Sequence, residues 1–231
     1  MDIVELCKFD LTPSILMDDR YFTLSIENPR YLLDTLQALK DQSNGIEGDF
    51  KLVQNYKALH FEKSFSIITD FTDIDFNTKF ITNLLRQKFT DFVADSKQLH
   101  AITDIERILL NLVQDFAFDS NLSLDYDITP TAQNLCKILQ LKIANSTYTL
   151  LQKLIEYINI LCDLKPIKCL ALTFVKQFLS TAELNKLHHH CLNKNLHLLL
   201  IQPKDPMPPA NNERRLIIDP DLCPIPIGYD D

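Results

Sequence analysis

The chain has 231 residues, 46% hydrophobic and 23% charged, and a formal net charge of −8 at pH 7. That length is enough for one large domain or two small ones with a real core, and the composition excludes a disordered or fibrous chain. No apolar run approaches the roughly 18 residues needed to cross a bilayer, and Met1-Asp2-Ile3-Val4-Glu5-Leu6 lacks the basic start and apolar block of a signal peptide, so a cytoplasmic protein is expected.

In chain order, apolar and polar residues alternate through Ile3, Glu5, Cys7 and Phe9, which predicts one or two antiparallel edge strands in residues 1–20. Phe22-Thr23-Leu24-Ser25-Ile26 reads as a strand. Asn28 and Pro29 then supply an N-cap and a first helical residue, and Tyr31, Leu32, Thr35, Leu36 and Leu39 carry a helix as far as Asn44-Gly45. Phe50–Val53 and Phe65–Asp70 are further strands, and a helix is expected from Thr78 to Asp95. Such strand–helix alternation favours a parallel sheet with crossover helices.

The pattern then becomes helical. Leu99, Ile102, Ile105, Leu109, Leu112 and Phe116 mark a long amphipathic helix. An acidic elbow, Asn121–Thr129, separates it from two helices near Thr131–Leu141 and Thr147–Asp163. Cys169–Phe174 and Leu196–Ile201 are almost wholly apolar, as strands buried on both faces should be. Ser180 and Glu183 between them form a capping-box pattern, and Arg215–Ile218 is a last strand in a proline-rich tail.

The charge is unevenly spread. Residues 1–130 carry a net −10, whereas 131–168 carry a net +3 from Lys137, Lys142, Lys153, Lys165 and Lys168 against Glu156 and Asp163. A basic face on an acidic body can still hold phosphates locally. Six cysteines stand without a Cys-x-x-Cys pair, which points to reduced, buried thiols rather than a disulfide framework.

The residues bear on three chemistries. A strand–turn–helix followed by a strand ending in Asp70 invites comparison with phosphate-binding ATPases. That site needs glycines and a lysine, yet the turn is Glu27-Asn28-Pro29-Arg30 and the whole chain has three glycines. The elbow sets Asp119, Asn121 and Ser123 at the first three ligand positions of an EF-hand loop. Leu124 replaces the required glycine and Pro130 the final glutamate, so it is not an EF-hand. In His188-His189-His190-Cys191 only His188 and Cys191 share a helix face, too few ligands for zinc. No catalytic residue is assigned.

From Phe22 to Ile218 the order of segments resembles the Csn-two family, the small spacer-acquisition protein of type II-A CRISPR systems. Ile68-Thr69-Asp70 before Asp75-Phe76-Asn77 carries the resemblance, with Leu122-Ser123-Leu124-Asp125-Tyr126-Asp127 and Leu141-Lys142-Ile143. Leu179-Ser180-Thr181-Ala182-Glu183 and Leu199-Leu200-Ile201-Gln202-Pro203 carry it further. The resemblance implies an α/β parallel-sheet head like a degenerate P-loop kinase core, expected at 1–97 and 166–231, with an inserted helical leg at 98–165. It implies a homotetrameric ring, without enzymatic activity, that binds double-stranded DNA ends alongside other type II-A acquisition proteins. It also implies calcium, with Asp119, Asp125 and Asp127 at the positions of family carboxylates, and DNA contact by Lys142, to which Lys137 and Lys153 are added by proximity. Two other readings stay open: a divergent P-loop-type kinase or ATPase, and an interaction scaffold with no DNA role.

Overall fold

A computed structural model describes residues 3–8, 11–71, 74–94, 99–120, 122–125, 131–144, 148–204 and 208–228. The alternating start of the chain forms β1 (Val4–Lys8) and β2 (Leu11–Met17), paired antiparallel. β3 (Tyr21–Ile26) follows and is buried along its whole length. Next comes α1 (Pro29–Ser43), with Asn28 as its N-cap and Asn44 closing it. β4 (Lys51–Gln54) turns back onto β1 and β5 (Lys57–Ala58) pairs with β4, so a small antiparallel sheet runs in the order β2-β1-β4-β5. A single helical turn, α2 (Phe61–Ser64), leads into β6 (Phe65–Ile68).

The helical stretch supplies α3 (Lys79–Ala94), α4 (Leu99–Ser120), α5 (Ala132–Leu139) and α6 (Leu150–Leu164). Thr149 opens α6 with a capping box to Gln152. β7 (Cys169–Thr173) and a short 3-10 turn at Val175–Gln177 come next. In α7 (Thr181–Asn193) the expected Ser180–Glu183 capping box is made from both sides. β8 (His197–Gln202), β9 (Glu213–Ile218) and an edge strand β10 (Pro224–Ile227) complete the chain.

The main sheet has the order β10-β9-β3-β8-β7-β6. Every pairing from β9 to β6 is parallel, and only β10 joins antiparallel. This is the expected α/β class with a mostly parallel sheet. β7 and β8 are almost wholly apolar because both faces of the sheet are covered, whereas β3, buried throughout, sets Phe22, Leu24 and Ile26 on one face and Tyr21, Thr23 and Ser25 on the other. Phe22, Leu24 and Ile26 point to one core with Leu32 and Leu39 of α1 and with Leu6, Met17 and Leu52 of the small sheet. Leu170, Leu172, Leu198 and Leu200 point to the other core, with Leu154, Ile158 and Leu161 of α6 and Leu184, Leu187 and Cys191 of α7.

Contacts divide the chain into Met1–Ile74 with Thr147–Asp231, and Asp75–Ser146. These limits differ from the leg expected at 98–165. α6 lies with the sheet because its apolar stripe packs beneath β7 and α7, whereas α3 lies in the second unit and packs on α5. Periodicity reveals that a helix has a buried face, not which neighbour covers it.

One polar group stands out in the first unit. Glu213 is 4% exposed, and its carboxylate accepts from Lys176 Nζ at 2.7 Å, Arg215 at 2.9 Å, the Tyr21 hydroxyl at 3.2 Å and the Ala210 N–H at 3.1 Å. Burial pushes its pKa up, but the bond and charge of Lys176, together with its other hydrogen-bond donors, hold it below the ordinary carboxylate value. Removing one partner of such a buried set leaves the others uncompensated. Glu213→Gln is therefore expected to destabilise the fold by about 3 kcal/mol in urea titration. Because the folded pKa is depressed, this stabilisation is fully present above the unfolded value of about 4.3 and is lost as pH falls from there through the folded value. The gap between wild type and variant should shrink in acid; a gap that holds constant down to acid pH would contradict the role given to the carboxylate.

Candidate nucleic-acid interface

Open parallel sheets take ligands at the carboxyl ends of their strands, where neighbouring connections diverge. In the first unit that place is the end of β3, which lies between β8 and β9 while its own connection leaves through α1. A helix amino terminus there would ordinarily offer free N–H groups to a phosphate. Here the chain uses them itself. Pro29 has no N–H. Asn28 Oδ1 accepts from Arg30 and Tyr31 at 3.1 Å each, and the Leu32 N–H donates to the Asn28 carbonyl at 2.9 Å. Asn28 Nδ2 reaches on to the Pro220 carbonyl at 3.0 Å, and Lys204 sits 3.7 Å from Glu27. Positions 29–32 thus keep no amide N–H to hold an anion. Asp70 lies exposed two residues beyond β6.

The sequence-derived cations separate between the units. Lys137 and Lys142 are exposed in the second unit, whereas Lys153 lies half-buried on α6 in the first. Lys142 sits on a segment with a specific anchor. The Asn77 side chain accepts from the Ile143 N–H at 2.8 Å and donates to the Ile143 carbonyl at 3.0 Å, tying the backbone beside Lys142 to the residues just before α3. Lys137 lies in the last turn of α5, where a cation is favoured by the helix dipole.

In the elbow, Asp119 stands exposed in the last turn of α4 and Asp125 is exposed beyond it. Asp127 and Asn121 lie outside the described residues. The donor set is of the right kind for a hard cation, since it consists of carboxylates beside the negative end of a helix. Among the described residues, however, no three His, Cys, Asp or Glu side chains gather as a metal site. The histidine tract has a packing role. His188 is buried, lies edge-on to Tyr21 at 5.3 Å between ring centroids and has Nδ1 3.3 Å from Asn212. His190 meets Asn159 at 3.0 Å. Burial first, then the neighbouring His189, lowers the pKa of His188.

Two features depend on long-range packing and exposure rather than on local sequence. Arg86 of α3 faces the same cleft as Lys137 of α5; the signal was a cation one turn from Thr90, but nothing local pairs α3 with α5. On α4 the apolar stripe is half-buried at Ile102 and Ile105 but exposed towards the end of the helix, with Leu112 at 65% and Phe116 at 59%. Among the described residues no helix is long and apolar enough to cross a membrane.

Comparison with known proteins adds the functional setting. No curated protein matches the chain. Among solved structures it is similar to a putative ABC transporter (ATP-binding protein) from Pyrococcus furiosus, at 9% identity over 92% of this chain and 96% of that one, with a TM-score of 0.39. A family model described as CRISPR-associated protein (Cas_Csn2) matches residues 42–222. That match covers α2 to α7 and the sheet strands from β4 to β9, and the chain belongs to the Csn2 family of CRISPR-associated proteins.

Proposed function

We propose that the protein is a non-catalytic, sequence-independent binder of double-stranded DNA ends that works as a homotetrameric ring during CRISPR spacer acquisition, together with other type II-A acquisition proteins. Family membership carries the CRISPR setting. The closed amino end of α1 is the observation that favours binding over catalysis. With Pro29 lacking an amide and Asn28 capping Arg30 and Tyr31, the first unit has no backbone cradle at β3 for nucleotide phosphates.

Self-association is supported by the exposed stripe of Ile108, Leu112 and Phe116, spaced four apart on one side of α4. Contiguous exposed apolar side chains of this size mark an interaction surface, and a second copy of the chain would cover them. In a ring, a few lysines from each copy focus on one channel. Lys137, Lys142 and Lys153 are the contacts in this reading, and the net charge of −8 then discourages binding elsewhere. Asp119, Asp125 and Asp127 would hold calcium, whose charge would neutralise acid at the elbow.

A linear duplex should shift in a native gel and sealed circles should not, and the mass in solution should be about four times 26.7 kDa. With about eight phosphates neutralised per ring, affinity should fall with a log–log salt slope near about −7. Lys142→Glu should abolish the shift while leaving the assembled mass unchanged. Equal binding to circles, or binding indifferent to salt, would sink the reading.

Calcium is tested separately. Chelation should lower the assembled fraction or the melting temperature, and Asp119→Asn/Asp125→Asn should remove that response. A melting curve unmoved by chelator and calcium alike would remove the ion from the account and leave DNA binding standing.

A further inference from the structure

Helices α3 and α5 enclose a cleft of about 370 Å³ within the second unit, lined by Arg86, Gln87 and Thr90 on one side and Gln133, Cys136 and Lys137 on the other. The spacing explains the convergence. Residues 86 and 90, and 133 and 137, are each four apart and so share a helix face. Cys136 is buried at 2% exposure, while Arg86, Gln87, Gln133 and Lys137 are exposed. The Thr90 hydroxyl donates to the Arg86 carbonyl at 2.9 Å, which places Thr90 against the turn that bears Arg86. Among the described residues no carboxylate lines the cleft.

Arg86 and Lys137 both border the cleft, so an anion held there would be attracted by both charges. The remaining lining suits an oxyanion. Guanidinium presents a planar fork to two oxygens, ammonium acts as a mobile point charge, and two carboxamides can each donate N–H. A carboxylate has two oxygens to offer and a phosphate group three or four, so phosphate uses this donor set more fully. The volume accommodates a phosphate with an attached sugar.

We infer that the α3–α5 cleft binds a phosphate group, supplied by a nucleic-acid strand or by a free nucleotide, with Arg86 and Lys137 as its charged contacts. The nucleic-acid source rests on the proposed function above and extends it to Arg86; the phosphate chemistry rests on the cleft alone.

The test compares the full chain with Arg86→Gln/Lys137→Gln, both checked for helical content and assembled mass, with Lys142→Glu as a reference lesion outside the cleft. The probes are a short linear duplex and AMP. The expected result is duplex binding weakened about tenfold or more in the double variant, as removal of two charged donors implies. The salt slope should become shallower by about one for each phosphate that the variant no longer neutralises. In wild type, AMP should also weaken duplex binding by competing for the cleft; this readout holds even if the double variant fails to fold. If the double variant binds duplex with unchanged affinity and slope and AMP does not weaken duplex binding by wild type, the cleft proposal fails and Lys137 leaves the DNA contacts, while duplex binding through Lys142 survives. If wild type ignores duplex but binds AMP, and the variant loses AMP, the cleft proposal holds and the DNA reading fails. Binding of neither probe by wild type overturns both.

Discussion

A buried carboxylate orders the first unit. Glu213 opens β9, and its oxygens satisfy Arg215 on the same strand, Tyr21 on β3, Lys176 in the turn after β7 and the Ala210 amide before β9. An unpaired charge at this depth would be too costly to keep, so those four partners must arrive together. Their convergence holds β9 beside β3 and folds the 3-10 turn over the sheet. β3 thereby becomes an interior strand. Its carboxyl end falls at the notch where this class of sheet takes ligands, and Asn28 closes that notch by capping α1 and reaching to Pro220.

For the proposed DNA binding, what matters is where a phosphate could be met. Closing the α1 amides removes the usual phosphate seat, while the second unit exposes Arg86, Lys137 and Lys142 together with the apolar side of α4. An overall acidic chain can bind nucleic acid under these conditions, because interactions beyond about 10 Å are screened at ordinary salt and the local field decides. Anchoring matters as much as charge. Asn77 fixes both backbone groups of Ile143, so Lys142 projects from a held segment rather than a loose one.

Legibility in the sequence followed the range of the interactions. Asn28 and Pro29 at α1, and Ser180 with Glu183 at α7, work within one turn and were readable as they stand. The all-apolar β7 and β8 were readable because burial on both faces leaves no alternation. Long-range pairing was not. β4 follows α1 in the chain yet pairs back onto β1, and α6 looks like its helical neighbours but packs beneath β7. Glu213 was hidden for the same reason, since its partners Tyr21 and Lys176 lie 192 and 37 residues away. At the candidate site, Lys137 was visible as part of a basic stretch. Arg86 was not, because only the packing of α3 on α5 brings the two to one cleft.

The central claim is that this chain, an α/β protein with a mostly parallel sheet, meets phosphate on DNA and not at the amino end of α1. The most direct measurement is a calorimetric titration of the wild-type protein with magnesium-ATP and, in parallel, with a linear duplex. The account predicts saturable heat with the duplex, and with ATP only such heat as Arg86→Gln/Lys137→Gln abolishes. Saturable ATP binding that survives Arg86→Gln/Lys137→Gln would place a nucleotide in the first unit, and would contradict it.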